Sequence, residues 1–244
     1  MTPVQYIVFT GMGIPEEIAI RLAFGTSLLV VLPTAASGAW RHNRMGVVRW
    51  KAALVIGGCG LVCAFGGATL AAHLPGVGLR IAFGAFILAS AIRMLTAREP
   101  HAEAKPRDNP WLWAAWAVPA GFISGVFGVG GGIMMVLVMV LALRFRMHAA
   151  IATSLAAMMF ISTGGIIGYI INGLGVPDLP PYSIGYVNLP AWFLLAVTSV
   201  GMAQLGTITA HKLPARQLGY VFVALLFYMG LKMVGVFDWL GLPL

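Results

Sequence analysis

The residues best suited to chemistry in this sequence are a run of glycines near its centre. The run reads GVFGVGGGI, and its last four glycines are Gly128, Gly130, Gly131 and Gly132. Glycine permits turns and close backbone approach, and a cluster of glycines interrupts a helix. Such a turn leaves free N–H groups where the next helix starts, and those groups and the helix dipole favour an anion. The competing interpretation is that the glycines only let helices pack closely.

Two pairs of hydroxyl residues form the second candidate group. Thr26-Ser27 and Thr153-Ser154 stand in the similar sequences AFGTSL and AIATSL. Their hydroxyls can donate to an anion or join the shell of a coupling ion. An equally good interpretation is a hydrogen bond to the carbonyl one helical turn earlier, which is common in membrane helices. The predicted substrate-binding set is Gly128, Gly130, Gly131, Gly132, Thr153, Ser154, Thr26 and Ser27.

No pattern in the sequence predicts catalysis. Acidic residues are missing from the middle of the apolar runs, and no histidine or cysteine cluster has the spacing of metal ligands. Cys59 and Cys63 lie four apart in one apolar run and are interpreted as small packing residues. We therefore expect a protein that is not an enzyme, with no catalytic residues, no metal and no cofactor.

The composition indicates a membrane protein. Hydrophobic residues make up 60% of the chain and charged residues only 9%, whereas a soluble domain carries roughly 25% charged residues. Apolar runs of about 20 residues predict membrane helices rather than barrel strands, which alternate over about 10 residues. The runs are Pro3 to Ile14, Ile18 to Trp40, Ala52 to Leu74, Leu79 to Thr96, Trp111 to Leu143, Ala149 to Ile171, Leu189 to Ala210 and Leu218 to Trp239. We predict an all-α, multi-pass integral membrane fold.

The chain also repeats itself. AFGTSL matches AIATSL at an offset of 127, and HLP at 73–75 matches KLP at 212–214 at an offset of 139. Two copies of one helical unit joined by a polar linker are typical of transporters. We therefore predict a first transmembrane repeat at 1–96, a linker at 97–110 and a second repeat at 111–244, with about four helices in each repeat.

The basic residues predict how these repeats are oriented. The net charge is +8, and eleven Lys and Arg residues fall in alternate connections, against one in the connections between them. The basic connections are Arg41 to Lys51, the linker 97–110, the region of Arg144, and Lys212 to Arg216. By the positive-inside rule these segments are cytoplasmic, and the C-terminus is external. The connection Arg41 to Lys51 is then on the other side of the membrane from its repeat partner, Asn172 to Asn188, so the repeats are inverted. Charges placed this way are topogenic, so no nucleic-acid partner is expected.

The glycine run must sit in a hairpin. Both ends of the segment from Trp111 to Arg144 are cytoplasmic in this scheme, so the chain enters the membrane and returns. The two arms have about 17 and 14 residues, or about 25 and 21 Å, and neither spans a core of about 30 Å. The non-helical backbone between them is expected to line a cavity or lie buried in protein.

These segments resemble a known family. The run GFISGVFGVGGGIMMVLVMVLALRFRMHAAIATSL is similar to the second-repeat signature of the sulfite exporter TauE/SafE family, also called toluene sulfonate uptake permeases. The stretch AFGTSLLVVLPTAASGAWRHNRMGVVRW is similar to the family's TSL helix and basic loop, and the resemblance covers essentially the whole chain. It implies an inner-membrane permease that carries small anions, sulfur oxyanions or organosulfonates, by alternating access. Its partners would be the substrate, the lipid bilayer and a candidate coupling ion, a proton or sodium; the oligomeric state stays open.

The sequence departs from the family pattern at its start. Family members have the glycine signature in both repeats, yet the counterpart of Gly128 at the offset of 127 is position 1. We therefore expect the first repeat to lack its opening helix. Thr2 and Pro3 would then be the cap and first position of the returning helix. The alternative function is a non-transporting membrane subunit or a truncated, inactive copy.

Overall fold

The computed structural model describes residues 1–96, 108–131, 135–136, 138–199 and 215–236. Its helices are α1 (Thr2–Gly11), α2 (Glu16–Arg44), α3 (Trp50–His73), α4 (Gly76–Thr96), α5 (Pro110–Phe127), α6 (Met147–Gly173), α7 (Leu189–Ser199) and α8 (Ala215–Val234). A π-helical turn, Val138–Ala142, lies between α5 and α6, and the strands β1 (Ser183–Ile184) and β2 (Val187–Asn188) precede α7. The predicted all-α fold is confirmed.

Several of these helices match the apolar runs of the sequence. Within the described ranges, α2, α3, α4, α5 and α6 are long and apolar enough to cross a membrane. The chain is therefore a multi-pass membrane protein, as its composition predicts. Helix α5 shows how local chemistry sets the boundaries: the Asn109 side chain accepts a hydrogen bond from the backbone N–H of Trp111, and Pro110 occupies the first turn.

The helices fall into two compact units. The first unit covers Met1–His73 and Pro100–Ala196, and the second covers Leu74–Glu99 and Val197–Leu244. In the first unit α3 packs against both α5 and α6, while α2 packs against α6 and α1. In the second unit α4 packs against α8. Each unit thus combines helices from both halves of the chain, and the division into repeats at 97–110 stays a prediction.

Small residues set the close approach of the helices in the first unit. A Cβ added to Gly121 on α5 would lie 2.6 Å from the carbonyl oxygen of Gly60 on α3. One turn later, a Cβ on Gly125 would overlap the backbone of Ala64. Gly125 opens the glycine run, and it serves close helix packing rather than a turn, which is the competing interpretation of the run.

A short β-hairpin closes one end of α6. Strand β1 pairs antiparallel with β2, with Ser183 opposite Asn188. The backbone N–H of Tyr186 in its turn donates to the carbonyl oxygen of Tyr169 on α6, at 3.2 Å. The sequence does not predict this hairpin, because strands of two residues carry no periodic signal.

The basic segments meet at one end of the first unit. Arg49 forms an ion pair with Asp108 at 2.6 Å, and its guanidinium lies 4.8 Å from the centre of the Phe145 ring. These residues belong to three of the four basic segments. At the other end of α3, Asn172 donates to the Thr69 hydroxyl at 3.1 Å. Three basic connections and the connection that begins at Asn172 therefore lie at opposite ends of the first unit, and which end is cytoplasmic stays a prediction.

Candidate functional site

The segment between α5 and α6 is a hairpin, as predicted. Helix α5 runs from near Trp113 to the glycine turn, and the chain then comes back until the Phe145 ring is 6.3 Å from the Trp113 ring. The backbone N–H of Met135 donates to the carbonyl oxygen of Gly131 at 2.8 Å, which is a helical hydrogen bond of the returning arm. The returning arm is part of the core, since Met135 and Met139 are fully buried.

The turn of this hairpin depends on three glycines. Gly128, Gly130 and Gly131 have φ angles of 64°, 71° and 75°. An L-residue with a side chain pays about 1–2 kcal/mol in this left-handed region, whereas glycine does not. All three glycines are buried, as expected for non-helical backbone in a membrane protein. Gly132 lies outside the described residues.

The turn lies along one face of α2. A Cβ added to Gly128 would lie 2.6 Å from the Cα of Phe24, and one on Gly130 would lie 2.7 Å from Val31 Cγ1. Phe24, Ser27 and Val31 are spaced i, i+3 and i+7, so they share a face of the helix. The glycine turn therefore contacts α2 both before and after Ser27, one of the predicted hydroxyl residues.

Ser27 is also the point where α1 meets α2. Its side chain is 4% exposed, and its hydroxyl donates to Gln5 Oε1 at 2.9 Å. Because that bond uses its only proton, Ser27 accepts the hydrogen bond from the Thr2 hydroxyl, also at 2.9 Å. The prediction that Thr2 caps α1 is wrong: Met1 is the cap position, Thr2 is helical, and its hydroxyl is bonded across to α2 instead.

Three buried polar atoms around this region have no hydrogen-bond partner in the described part of the chain. They are Gln5 Nε2, Ser124 Oγ and Ser162 Oγ. A Cβ built on Gly131 would be 3.6 Å from Ser124 Oγ, and one on Gly130 would be 3.3 Å from Ser162 Oγ. An unpaired polar atom in a protein interior is costly and rare, so these atoms call for an explanation. None of the three residues is in the predicted set, although each is a polar residue inside an apolar run.

Thr26 and Thr153 have hydrogen-bond roles in the fold. The Thr26 hydroxyl accepts from the backbone N–H of Asn188 at 3.0 Å, and the Thr153 hydroxyl accepts from that of Arg49 at 3.2 Å. Asn188 directly precedes α7 and Arg49 directly precedes α3, so each threonine satisfies an N–H group at a helix start. The two bonds join equivalent positions of the repeated sequence. Thr153 follows Thr26 at the offset of 127, and Asn188 follows Arg49 at the offset of 139.

Ser154 makes the local bond that was the alternative for the hydroxyl residues. Its hydroxyl donates to the carbonyl oxygen of Ile151 at 2.9 Å. Ser154 is eight residues before Ser162 on α6, which is about 12 Å along the helix axis. The structure thus places Gly128 and Gly130 against the face of α2 that carries Ser27. Ser154, by contrast, lies that far along α6 from Ser162, and Thr153 is bonded to Arg49.

The described polar side chains that adjoin the glycine turn are neutral, and the Arg21 cation lies further along α2, near Tyr169. Ser27, Gln5, Ser124 and Ser162 offer hydroxyl and amide groups, and the neighbouring ring of Phe24 is apolar. Within the described ranges, no three His, Cys, Asp or Glu side chains come together as metal ligands. The region can therefore offer hydrogen-bond donors to a small polar or negatively charged molecule.

Comparison with known proteins identifies related chains. The family model described as "Sulfite exporter TauE/SafE" matches residues 1–233. A probable membrane transporter protein of Methanocaldococcus jannaschii is 30% identical over 236 residues, which are 96% of this chain and 86% of the relative. A probable membrane transporter protein of Haemophilus influenzae is 25% identical over 222 residues, with 91% and 84% covered. No solved structure matches the chain.

Proposed function

The chain belongs to the sulfite exporter TauE/SafE family, and from that membership we propose that it is a permease for small anions, namely sulfur oxyanions or organosulfonates, working by alternating access. The family and the relatives identify a membrane transporter with a small-molecule substrate. The class of substrate comes from the family description and from the chemistry of the glycine turn.

The observation that carries the proposal is the buried glycine turn beside unpaired donors. Ser162, which faces this turn, lies in the central part of α6, between its ends at Met147 and Gly173. At the rise of an α-helix, those two ends are about 22 and 16 Å away along the axis, so the turn lies near the middle of a hydrocarbon core of about 30 Å. A substrate bound there would be far from both aqueous phases, as a transporter requires.

The physics of the turn favours an anion. An anion that leaves water for a low-dielectric interior needs donors to replace its hydration. The sequence predicts free N–H groups where the returning helix starts, most of them outside the described residues, and such groups together with the helix dipole favour an anion. Neutral hydroxyls and amides can add donors without a fixed counter-charge, so the anion is bound and still able to leave.

Reciprocal contacts between α2 and α6 support the inverted-repeat arrangement that alternating access uses. A Cβ on Gly38 would lie 2.9 Å from Leu155 Cδ1, and one on Gly165 would lie 2.6 Å from Leu28 Cδ1. Gly165 follows Gly38, and Leu155 follows Leu28, at the same offset that relates AFGTSL to AIATSL. Two equivalent segments that exchange roles in this way are expected of repeats related by an axis in the membrane plane.

The orientation in the membrane is part of the proposal. We assign the end that holds Arg49 and Asp108 to the cytoplasm, because the basic connections gather there. The linker 97–110 is then cytoplasmic and the C-terminus external, in the cell inner membrane.

Anion flux into proteoliposomes tests the proposal. Purified protein is reconstituted, and uptake of sulfite and methanesulfonate is followed with and without a proton or sodium gradient, against protein-free vesicles. We expect saturable uptake of at least one of these anions, and dependence on one gradient would identify the coupling ion. A well-folded protein that carries none of them in either condition would contradict the proposed substrate class and favour the alternative, a non-transporting membrane subunit.

A further inference from the structure

We propose that Gln5, Ser124 and Ser162 are ligands of the transported anion and that they select a group with several oxygen atoms over a monatomic anion. This inference rests on the proposed permease function and adds three binding residues to it. The three residues come from α1, α5 and α6, so the ligand would be held by three separate helices. Their only common feature is a buried polar atom without a partner in the described residues.

All three residues adjoin one stretch of α2, either directly or through the glycine turn. Gln5 Oε1 accepts from Ser27 at 2.9 Å, which places the attached Nε2 within about 5 Å of the Ser27 hydroxyl. Ser162 and Ser124 face Gly130 and Gly131, and this turn lies on the same face of α2 as Ser27. The start of α1 and the glycine turn therefore approach one region from two sides.

Gln5 favours a ligand that accepts hydrogen bonds. Its amide nitrogen can only donate hydrogen bonds, since a nitrogen of this kind has no lone pair to offer a cation. The amide oxygen accepts a hydrogen bond from Ser27, while the nitrogen is the atom left without a partner in the described residues. The unpaired end of this side chain therefore matches an acceptor such as an anion.

The presence of three donors on three separate helices favours an oxyanion. Gln5 Nε2 and the hydroxyls of Ser124 and Ser162 lie on three different helices, and their exposed fractions of 4%, 1% and 0% exclude bulk water. A sulfite ion or a sulfonate group presents three oxygens in different directions, so each donor can reach its own acceptor. Chloride is a single acceptor centre, so all three donors would have to converge on one point to bind it.

The unpaired hydroxyls also predict an unusual stability signature. Removing a hydroxyl that has no partner leaves no broken bond and removes a desolvation penalty. Ser124→Ala and Ser162→Ala should therefore leave the melting temperature of the ligand-free protein unchanged or higher. Ser90 on α4 is the matched control for a serine whose hydroxyl is paired, because it donates to the Phe86 carbonyl oxygen at 2.8 Å. Ser90→Ala removes that hydroxyl away from the proposed ligands, so it should leave anion binding unchanged.

The test measures anion binding by ligand-dependent thermal shift and by the KM of flux, using sulfite, methanesulfonate, nitrate and chloride. We expect Ser124→Ala and Ser162→Ala each to weaken sulfite binding about tenfold, the loss expected for a hydrogen bond to a charged group. Chloride binding should change less than twofold. Gln5→Leu should lose sulfite binding as well, and the two serine variants remain decisive if this variant does not fold, because Gln5 also bonds Ser27.

The outcomes separate this inference from the permease function. If the wild type carries sulfite and both serine variants bind it normally, the three residues are not ligands and the permease function stands. If the wild type binds nitrate but no sulfur compound, and the serine variants lose nitrate, the ligands stand and the proposed substrate class is wrong. If the wild type binds none of the four anions, both proposals are overturned.

Discussion

Gly131→Leu is the most informative single change for this transporter. Gly131 has a φ of 75°, so a leucine there costs about 1–2 kcal/mol of backbone strain. The Cβ itself fits, because the nearest atoms are Ser124 Cβ and Oγ at 3.6 Å and Ile161 Cδ1 at 3.8 Å. A typical stability of about 5–15 kcal/mol absorbs that strain, so the variant should fold and insert.

The leucine side chain begins beside Ser124, one of the proposed anion ligands, and its added volume should hinder the anion there. We therefore expect sulfite flux in proteoliposomes to fall at least tenfold, while the purified variant still gives a monodisperse gel-filtration peak. Gly175→Leu is the matched control. Gly175 has a φ of 80°, and a Cβ there meets no atom within 4 Å, so this variant has the same strain away from the turn and should keep wild-type flux.

Two results would contradict this reasoning. Normal flux in Gly131→Leu would place the anion site elsewhere. Arg93 on α4 and Lys232 on α8, two cations in apolar runs that are related by the repeat offset of 139, would then become the next candidates. Equal losses of flux in Gly131→Leu and Gly175→Leu would show that backbone strain, rather than occupation of the site, stops transport.

Three further predictions concern the fold and its orientation. Gly128→Ala adds overlap with the α2 backbone to the same left-handed strain, so it should lower the melting temperature more than Gly175→Leu does; an equal melting temperature would refute the contact. Thr26→Val and Thr153→Val each leave a backbone N–H group unpaired and should cost about 1–3 kcal/mol of stability, measured by thermal unfolding, with threonine-to-serine variants as controls. Single cysteines at Asn43 and Asp178, treated with an impermeant thiol reagent in intact cells, should react only at Asp178; labelling at Asn43 would reverse the orientation.

Much of the architecture follows from local features of the sequence. Runs of about 20 apolar residues have to be membrane helices, because only there are all backbone groups paired within the segment. The hairpin between Trp111 and Arg144 follows in the same way, since two short arms joined by glycines cannot cross the bilayer. These conclusions need only composition, run length, the placement of the basic residues and the conformational freedom of glycine.

The tertiary structure decided what each residue of the candidate site does. Gly125 and Gly128 look alike in the sequence, yet one packs inside α5 against α3 and the other makes the turn. Thr26 meets Asn188, 162 residues away, and Ser154 bonds the carbonyl of Ile151 on its own helix. Gln5, Ser124 and Ser162 become site candidates only once the fold leaves their polar atoms buried and unpaired. Hydrogen-bond partners of this kind are set by helices that are distant in sequence and adjacent in space, so no local pattern contains them.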